Sequence, residues 1–327
     1  VVALFKDRSS ANIIWLIVLC IVVHSHFSLF PPQVIAQGND GLISLYLKKY
    51  LTGLHTGAII AIFFVLILSQ AFHLNFLFND QRMFSRSNYL TAMSYILITA
   101  VFKEWNQLMP ALFANSVLIW LYSKIIKLYN NPNPKSLLFN IGLIIGACVL
   151  LYHPTALLII VAMFAFLVVR PFNITELLVM FMGVLAPFYF LSVYLFLTDN
   201  FTHLNGYLPT WQLNLPDVEN PLYFFVSIGL IILFLFIGIY QWQDKNRRML
   251  IHIRKNWGVL IAMLFVMLPL PFINQNASLQ SLLMWAIPVS PFLANGFLGP
   301  KSTTFPNIMF WLLIIFSVFN NWPFLKF

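Results

Sequence analysis

Charge is what this sequence has least of. Asp, Glu, Lys and Arg make up 8% of its 327 residues, against about 25% in an average soluble domain. With 61% of residues hydrophobic, a water-soluble fold is excluded. Cysteine is nearly absent, and Cys20 and Cys148 both sit inside apolar runs, which excludes a disulfide framework and leaves them as small packing residues. Also missing are a glycine-rich phosphate loop ending in Gly-Lys-Ser or Gly-Lys-Thr, Gly-x-Gly-x-x-Gly, paired Cys-x-x-Cys and His-Glu-x-x-His. ATP-driven transport within this chain, zinc chemistry and redox chemistry therefore lack their usual signatures. No metal-ligating or cofactor-binding residue is assigned, and the cofactor stays open.

What is present is a series of apolar runs. A hydrocarbon core of about 30 Å needs roughly 17–25 residues of helix, and runs of that kind cover 13–30, 56–78, 108–129, 177–197, 221–242, 257–273, 279–298 and 305–322. Three shorter runs cover 89–102, 136–152 and 155–169. His153-Pro154 separates the last two, and a proline there breaks a continuous helix, so the pair reads as a helical hairpin. The run 13–30 has no small-residue cleavage site and leads into Pro31-Pro32, which reads as a membrane helix rather than a signal peptide. The fold class is all-α, a polytopic transmembrane bundle of about eleven helices forming one domain over 1–327.

The net charge of +9 is spread through short loops rather than gathered in a nucleic-acid patch. With the N-terminus cytoplasmic, fourteen of the eighteen Lys and Arg fall inside, and only Lys48, Lys49, Lys103 and Lys326 fall outside. That bias is the positive-inside pattern. It defines a basic cytoplasmic loop at 243–256 and two outer loops at 31–55 and 199–220, the second carrying Tyr207, Trp211, Asp217 and Glu219. The bilayer is the expected partner, and the basic cluster is suited to anionic headgroups or to a topological anchor.

Ionisable groups near hydrocarbon are functional candidates by default. His24 and His26 end the first helix on different faces, His73 lies late in the second, and His153 caps the hairpin. Glu176 opens a helix, where a carboxylate offsets exposed amide dipoles, and Asp80 beside Arg82 reads as charge balance in a turn. Gly142-x-x-x-Gly146 reads as a helix-packing device.

The most suggestive constellation is the first outer loop. Asp40 ends Gln37-Gly-Asn-Asp and precedes a segment whose Leu42, Leu45 and Tyr46 recur at helical spacing, with Lys48 and Lys49 behind them. This layout resembles the first outer loop of polyprenyl-linked, GT-C-type glycosyltransferases. The resemblance implies that Asp40 orients or deprotonates an acceptor, that Lys48 and Lys49 neutralise a lipid phosphate, and that His153 is a second polar group on that side. Against it, an Asn-Asp-Gly sequence is also an ordinary turn, and a lipid diphosphate usually calls for arginine, of which none is expected outside.

A second resemblance rests on Phe5-Lys-Asp-Arg-Ser9, Asn79-Asp-Gln-Arg-Met-Phe84, Leu128-Tyr-Asn-Asn-Pro-Asn-Pro-Lys135, Leu151-Tyr-His-Pro154 and Val169-Arg-Pro-Phe172. On these the chain is similar to a family of polytopic integral membrane proteins of unknown function from Bacteroidota, which implies the inner membrane of a Gram-negative cell envelope. Three classes of function compete. A GT-C-like transferase acting on a lipid-linked sugar predicts a cavity opening outward beside Asp40. A transporter or flippase of a lipid-like substrate predicts helices broken at Pro187, Pro269, Pro271, Pro288 or Pro291 around a polar pathway. A non-catalytic scaffold or assembly factor predicts tolerance of polar substitution. Whether the chain is an enzyme stays open at this point.

Overall fold

A computed structural model describes residues 1–9, 11–36, 40–209, 212–216, 218, 220–246, 248–273, 279–299 and 304–322. Residues 37–39, Trp211, Asp217, Glu219, Arg247, Lys301 and Lys326, which figure in the sequence reading, lie outside the described residues. The described residues form thirteen α-helices: α1 Val2–Phe5, α2 Ala11–Val23, α3 Leu42–Leu51, α4 Thr56–Asp80, α5 Leu90–Thr99, α6 Pro110–Ile125, α7 Pro134–Leu151, α8 Leu158–Val169, α9 Ile174–Leu197, α10 Pro221–Asn246, α11 Ile251–Met267, α12 Ala286–Leu298 and α13 Thr304–Asn321. Among them there is no strand, and the one β-bridge joins Val34 to Leu108.

Eight helical stretches are long and apolar enough to cross a membrane. Three shorter apolar helices, Ala11–Val23, Leu90–Thr99 and His153–Val169, accompany them. The chain is thus a multi-pass, all-helical membrane protein. α4, α9 and α10 turn most of their apolar side chains outward, among them Leu185, Tyr189 and Phe190, as lipid-facing helices do. The stretch Leu279–Leu298, ending in α12, is 94% buried and runs through the middle of the bundle.

Two segments differ from the sequence expectation. The run 13–30 is helical only to Val23. There the His24 amide (3.2 Å) and the His24 ring Nδ1 (2.9 Å) both donate to the Cys20 carbonyl, and the chain passes into a 3-10 turn at Ser25–Ser28. The run 136–152 is instead a full span of 18 residues, because Pro134 sits at the first helical position, where its missing N–H costs nothing.

The tightest packing joins α7 to α9. A Cβ on Gly142 or Gly146 would run into the Met180 or Val184 carbonyl, and one on Gly183 into that of Phe139. Gly142-x-x-x-Gly146 is therefore a packing seam, in which van der Waals contact between backbones replaces the hydrophobic drive that lipid cannot supply.

The two ends of the bundle differ in charge. Twelve of the fifteen described Lys and Arg lie at the end holding α1, and only Lys48, Lys49 and Lys103 lie at the other. At the basic end α4 closes with a Schellman motif, in which Met83 N donates to Phe78 O (3.0 Å) and Arg82 N to Asn79 O (3.1 Å). Its left-handed residue, normally glycine, is Arg82 with φ 50°, at a cost of about 1 kcal/mol. The other described non-glycine residues with positive φ are Asn130 and Asp199, residue types that tolerate this region.

Candidate functional site

At the opposite end the first long loop folds back onto the hairpin between α7 and α8. Asp40 is buried, and its carbonyl accepts from the His153 amide at 3.0 Å. Gly41, at φ 128°, presses on the end of α7, where an added Cβ would lie 2.6 Å from the Leu150 carbonyl oxygen. From that anchor α3 runs as the short helix its apolar spacing implied, with Leu42 packed against Leu150, Leu191 and Leu195. Lys48 Nζ donates to the Ala36 carbonyl at 2.7 Å, tying α3 to the incoming strand of loop, while Lys49 is exposed.

The structure thus brings Asp40 and His153 together, through backbone as well as burial. Tyr152 and Ser281 complete the cluster, the phenol being hydrogen-bonded to Ser281. Burial, and then the Asp40 charge, push the Tyr152 phenol above its ordinary range. Lys48 and Lys49 stand a few turns away on α3, and Asp40 is not among the described residues lining a cavity found at this end.

That cavity, of about 690 Å³, lies between the 3-10 turn after α2, the loop at 29–34, the start of α4 and the segment 103–107. Its polar lining comes from His26, Gln33, Thr52, Thr56, Lys103, Asn106, Gln107 and Asn321, and its apolar lining includes Phe27, Leu29, Phe30 and Ile59. The polar groups are held in place. Asn106 Nδ2 donates to Asn321 Oδ1 (2.7 Å), and Asn321 Nδ2 donates to the Ala100 and Ser317 carbonyls (2.7 Å each). Gln107 Oε1 accepts from the Gln33 amide at 2.6 Å, and the Gln33 carbonyl in turn accepts from Leu108 N at 2.9 Å.

His24 and His26 do not diverge as two helical positions would. With the helix ended at Val23, their rings lie 6.2 Å apart and both contact Phe27. Burial, and then the neighbouring His24, push the His26 imidazole down to about 4, so it faces the cavity as a neutral group at pH 7. The cavity lining therefore carries one cation, Lys103, and no carboxylate among its described residues. Chemically this is a wall of fixed amides and hydroxyls with one ammonium beside them. Leu29 and Phe30 are exposed at its rim.

Two further ionisable candidates, Glu176 and Asp80, have structural partners. Glu176 opens α9 and pairs with Arg170 (3.4 Å), which also donates to the Asn131 carbonyl. Asp80 accepts from Gln81 Nε2 at 2.9 Å. At mid-bundle the polar groups are neutral: Tyr95 donates to Gln70 Oε1 (2.6 Å), and Asn115 Nδ2 donates to the Tyr95 hydroxyl (3.1 Å). Asp40 and Glu176 are the buried carboxylates among the described residues, and both lie at bundle ends.

The fold and its two ends define a class, a multi-pass helical membrane protein with an amide-lined cavity at the end poor in cations. Comparison with protein-family models, curated proteins and solved structures finds no match.

Proposed function

We propose that this chain is an inner-membrane protein of the cell envelope, crossing about eleven times with its N-terminus cytoplasmic, and that it takes the headgroup of a lipid-linked sugar into the 690 Å³ cavity on the outer face. The observation that carries this reading is the lining itself. Fixed amides and hydroxyls match sugar hydroxyls, Lys103 matches a phosphate, and the exposed Leu29 and Phe30 rim matches a hydrocarbon tail. The charge difference between the ends supports the orientation. The three shorter apolar helices, added to the eight long ones, support the higher number of crossings.

Sugar transfer is the reaction that goes with this binding. Asp40, beside Tyr152 and His153, supplies the buried carboxylate that would orient or deprotonate an acceptor. Ion-coupled transport has less support, because the described mid-bundle groups are neutral amides and hydroxyls.

The test is to extract the protein with its surrounding lipid into nanodiscs and profile the bound lipids by mass spectrometry. Wild type should carry a glycosylated polyprenyl or phospholipid that Lys103→Ala loses and that Asp40→Asn retains. In a deletion strain, Asp40→Asn at matched expression should accumulate that lipid-linked precursor. Bulk phospholipid alone in the wild type would end the binding reading. Full complementation by Asp40→Asn would end the transfer reading and leave the binding one standing.

A further inference from the structure

At the basic end the termini of α4, α10 and α12 surround a second cavity of about 380 Å³, whose polar lining is Arg82, Ser85, Asp244, Lys245, Arg248 and Asn295. We propose that this cavity binds a phosphate-bearing anion, a phospholipid headgroup or a soluble phosphate, with Arg82 as its principal contact.

Charge is the first argument. The lining brings three cations against one carboxylate. Lys6 adds its field, since it acts electrostatically on Lys245, and its segment is held there by the Tyr89 amide donating to the Phe5 carbonyl at 2.8 Å. Asn295 is buried on α12 and presents an amide to the same space.

Rigidity is the second. The turn that carries Arg82 is fixed by an amide lattice in which Asn79 Nδ2 (2.8 Å) and Asn75 Nδ2 (3.0 Å) donate to the Asn88 carbonyl, while Asn79 Oδ1 accepts from Asn88 N (3.1 Å). Phe84 is buried against Trp257 and Phe78, at ring separations of 6.0 and 5.8 Å, and Met83 lies under the Tyr122 hydroxyl. Within 79–84 the other side chains are thus spent on the fold, including Asp80, which accepts from Gln81.

Arg82 is the exception. Its guanidinium makes no ion pair or side-chain hydrogen bond among the described residues, yet it occupies the left-handed position where glycine fits without strain. Its backbone closes α4, while its guanidinium, with no partner among the described residues, lines the cavity and is placed to meet an anion there. Basic residues at helix C-termini on the cytoplasmic side have a general explanation in dipoles and topology. That explanation does not require the strained position or the convergence on a concavity. Arginine's planar fork of donors also suits phosphate better than a lysine does.

The test uses the full chain in phosphatidylcholine nanodiscs, reading the thermal midpoint as ligand is added. One arm titrates inorganic phosphate, and the other replaces part of the phosphatidylcholine with phosphatidylglycerol at no added phosphate. A rise in midpoint in the first arm assigns a soluble phosphate, and a rise confined to the second assigns a headgroup. Arg82→Gly should fold at least as well as wild type and weaken the response at least tenfold, with Arg82→Lys in between. Lys245→Ala plus Arg248→Ala should also weaken it. An unchanged response in Arg82→Gly, or no response in either arm, overturns the proposal. Neither result bears on the outer-face cavity, whose lining shares no residue with this one.

Discussion

The two ends of the bundle each hold a polar cavity, and they divide the same chemical labour in opposite ways. At the basic end amides build the scaffold, through Asn75, Asn79 and Asn88, and cations line the space. At the opposite end amides line the space, through Asn106, Gln107 and Asn321, with Lys103 as the one cation among the described lining residues, while Lys48 ties down Ala36 instead. Beside each cavity region stands a backbone with positive φ, Gly41 at the outer end and Arg82 at the basic one. Charge therefore marks the basic cavity openly and leaves the other without an obvious signature.

The sharpest break in this comparison is Gly41→Val. A Cβ there meets main-chain oxygens of α7 that cannot swing aside, and a β-branched residue resists φ 128°. A loss of about 4 kcal/mol is expected from the combined clash and strain. Detergent unfolding should show it as a collapse of the outer end, and any folded fraction should lose lipid at the outer cavity while keeping the phosphate response at the basic one. Loss of both responses in folded protein would mean that the ends are not independent.

How much of this is legible in the sequence depends on how local the cause is. Gly142 and Gly146 declare the α7 side of the packing seam because the motif lies on one helix. Their partners, Gly183 and the Pro187 ring that meets Gly146, carry no such mark. His153-Pro154 declares the hairpin through proline's missing donor. The end of α2 is hidden, because apolar composition continues to Phe30 while the chain turns on the Cys20 carbonyl at His24. The link from Asp40 to His153 could be anticipated only as residues on one side, whereas a backbone hydrogen bond joins them. The outer cavity is the least legible feature. Its amides come from the loop at 33, the segment at 106–107 and the end of α13, and no periodicity relates them.

Acidification should act on one end more than the other. His24 and His26 are buried neutral at the outer end, each pushed from 6.5 to about 4 by burial. The unfolded chain binds their protons first, so stability at this end falls as pH drops from 6.5 through 4, by about 3 kcal/mol for one full shift. Thermal midpoints between pH 7 and pH 4 should fall by several degrees, and His26→Gln should flatten part of that slope. An equal fall in the variant would place the titrating groups elsewhere. At the basic end the mirror of the Gly41 substitution, Arg82→Gly, should raise stability by about 1 kcal/mol, as relief of the left-handed strain. A loss of stability there would show the guanidinium to be a structural group.

The smallest effect expected is the most discriminating about the outer loop. If Lys48 served chiefly to neutralise a lipid phosphate, Lys48→Met would leave stability unchanged and abolish lipid retention. The structure gives its ammonium a different use, a hydrogen bond of 2.7 Å to the Ala36 carbonyl that holds α3 against the loop at 34–36. Methionine keeps the apolar stem and deletes only that bond, so a loss of about 1 kcal/mol is expected. Lys49→Met, at an exposed neighbouring position, should cost almost nothing and serves as the control for lost charge. A midpoint that drops for Lys48→Met alone, with lipid binding weakened but present, makes Lys48 a brace for the cavity wall. Equal loss of lipid in both variants, with no change in midpoint, would return the pair to phosphate neutralisation and make the outer end resemble the basic one.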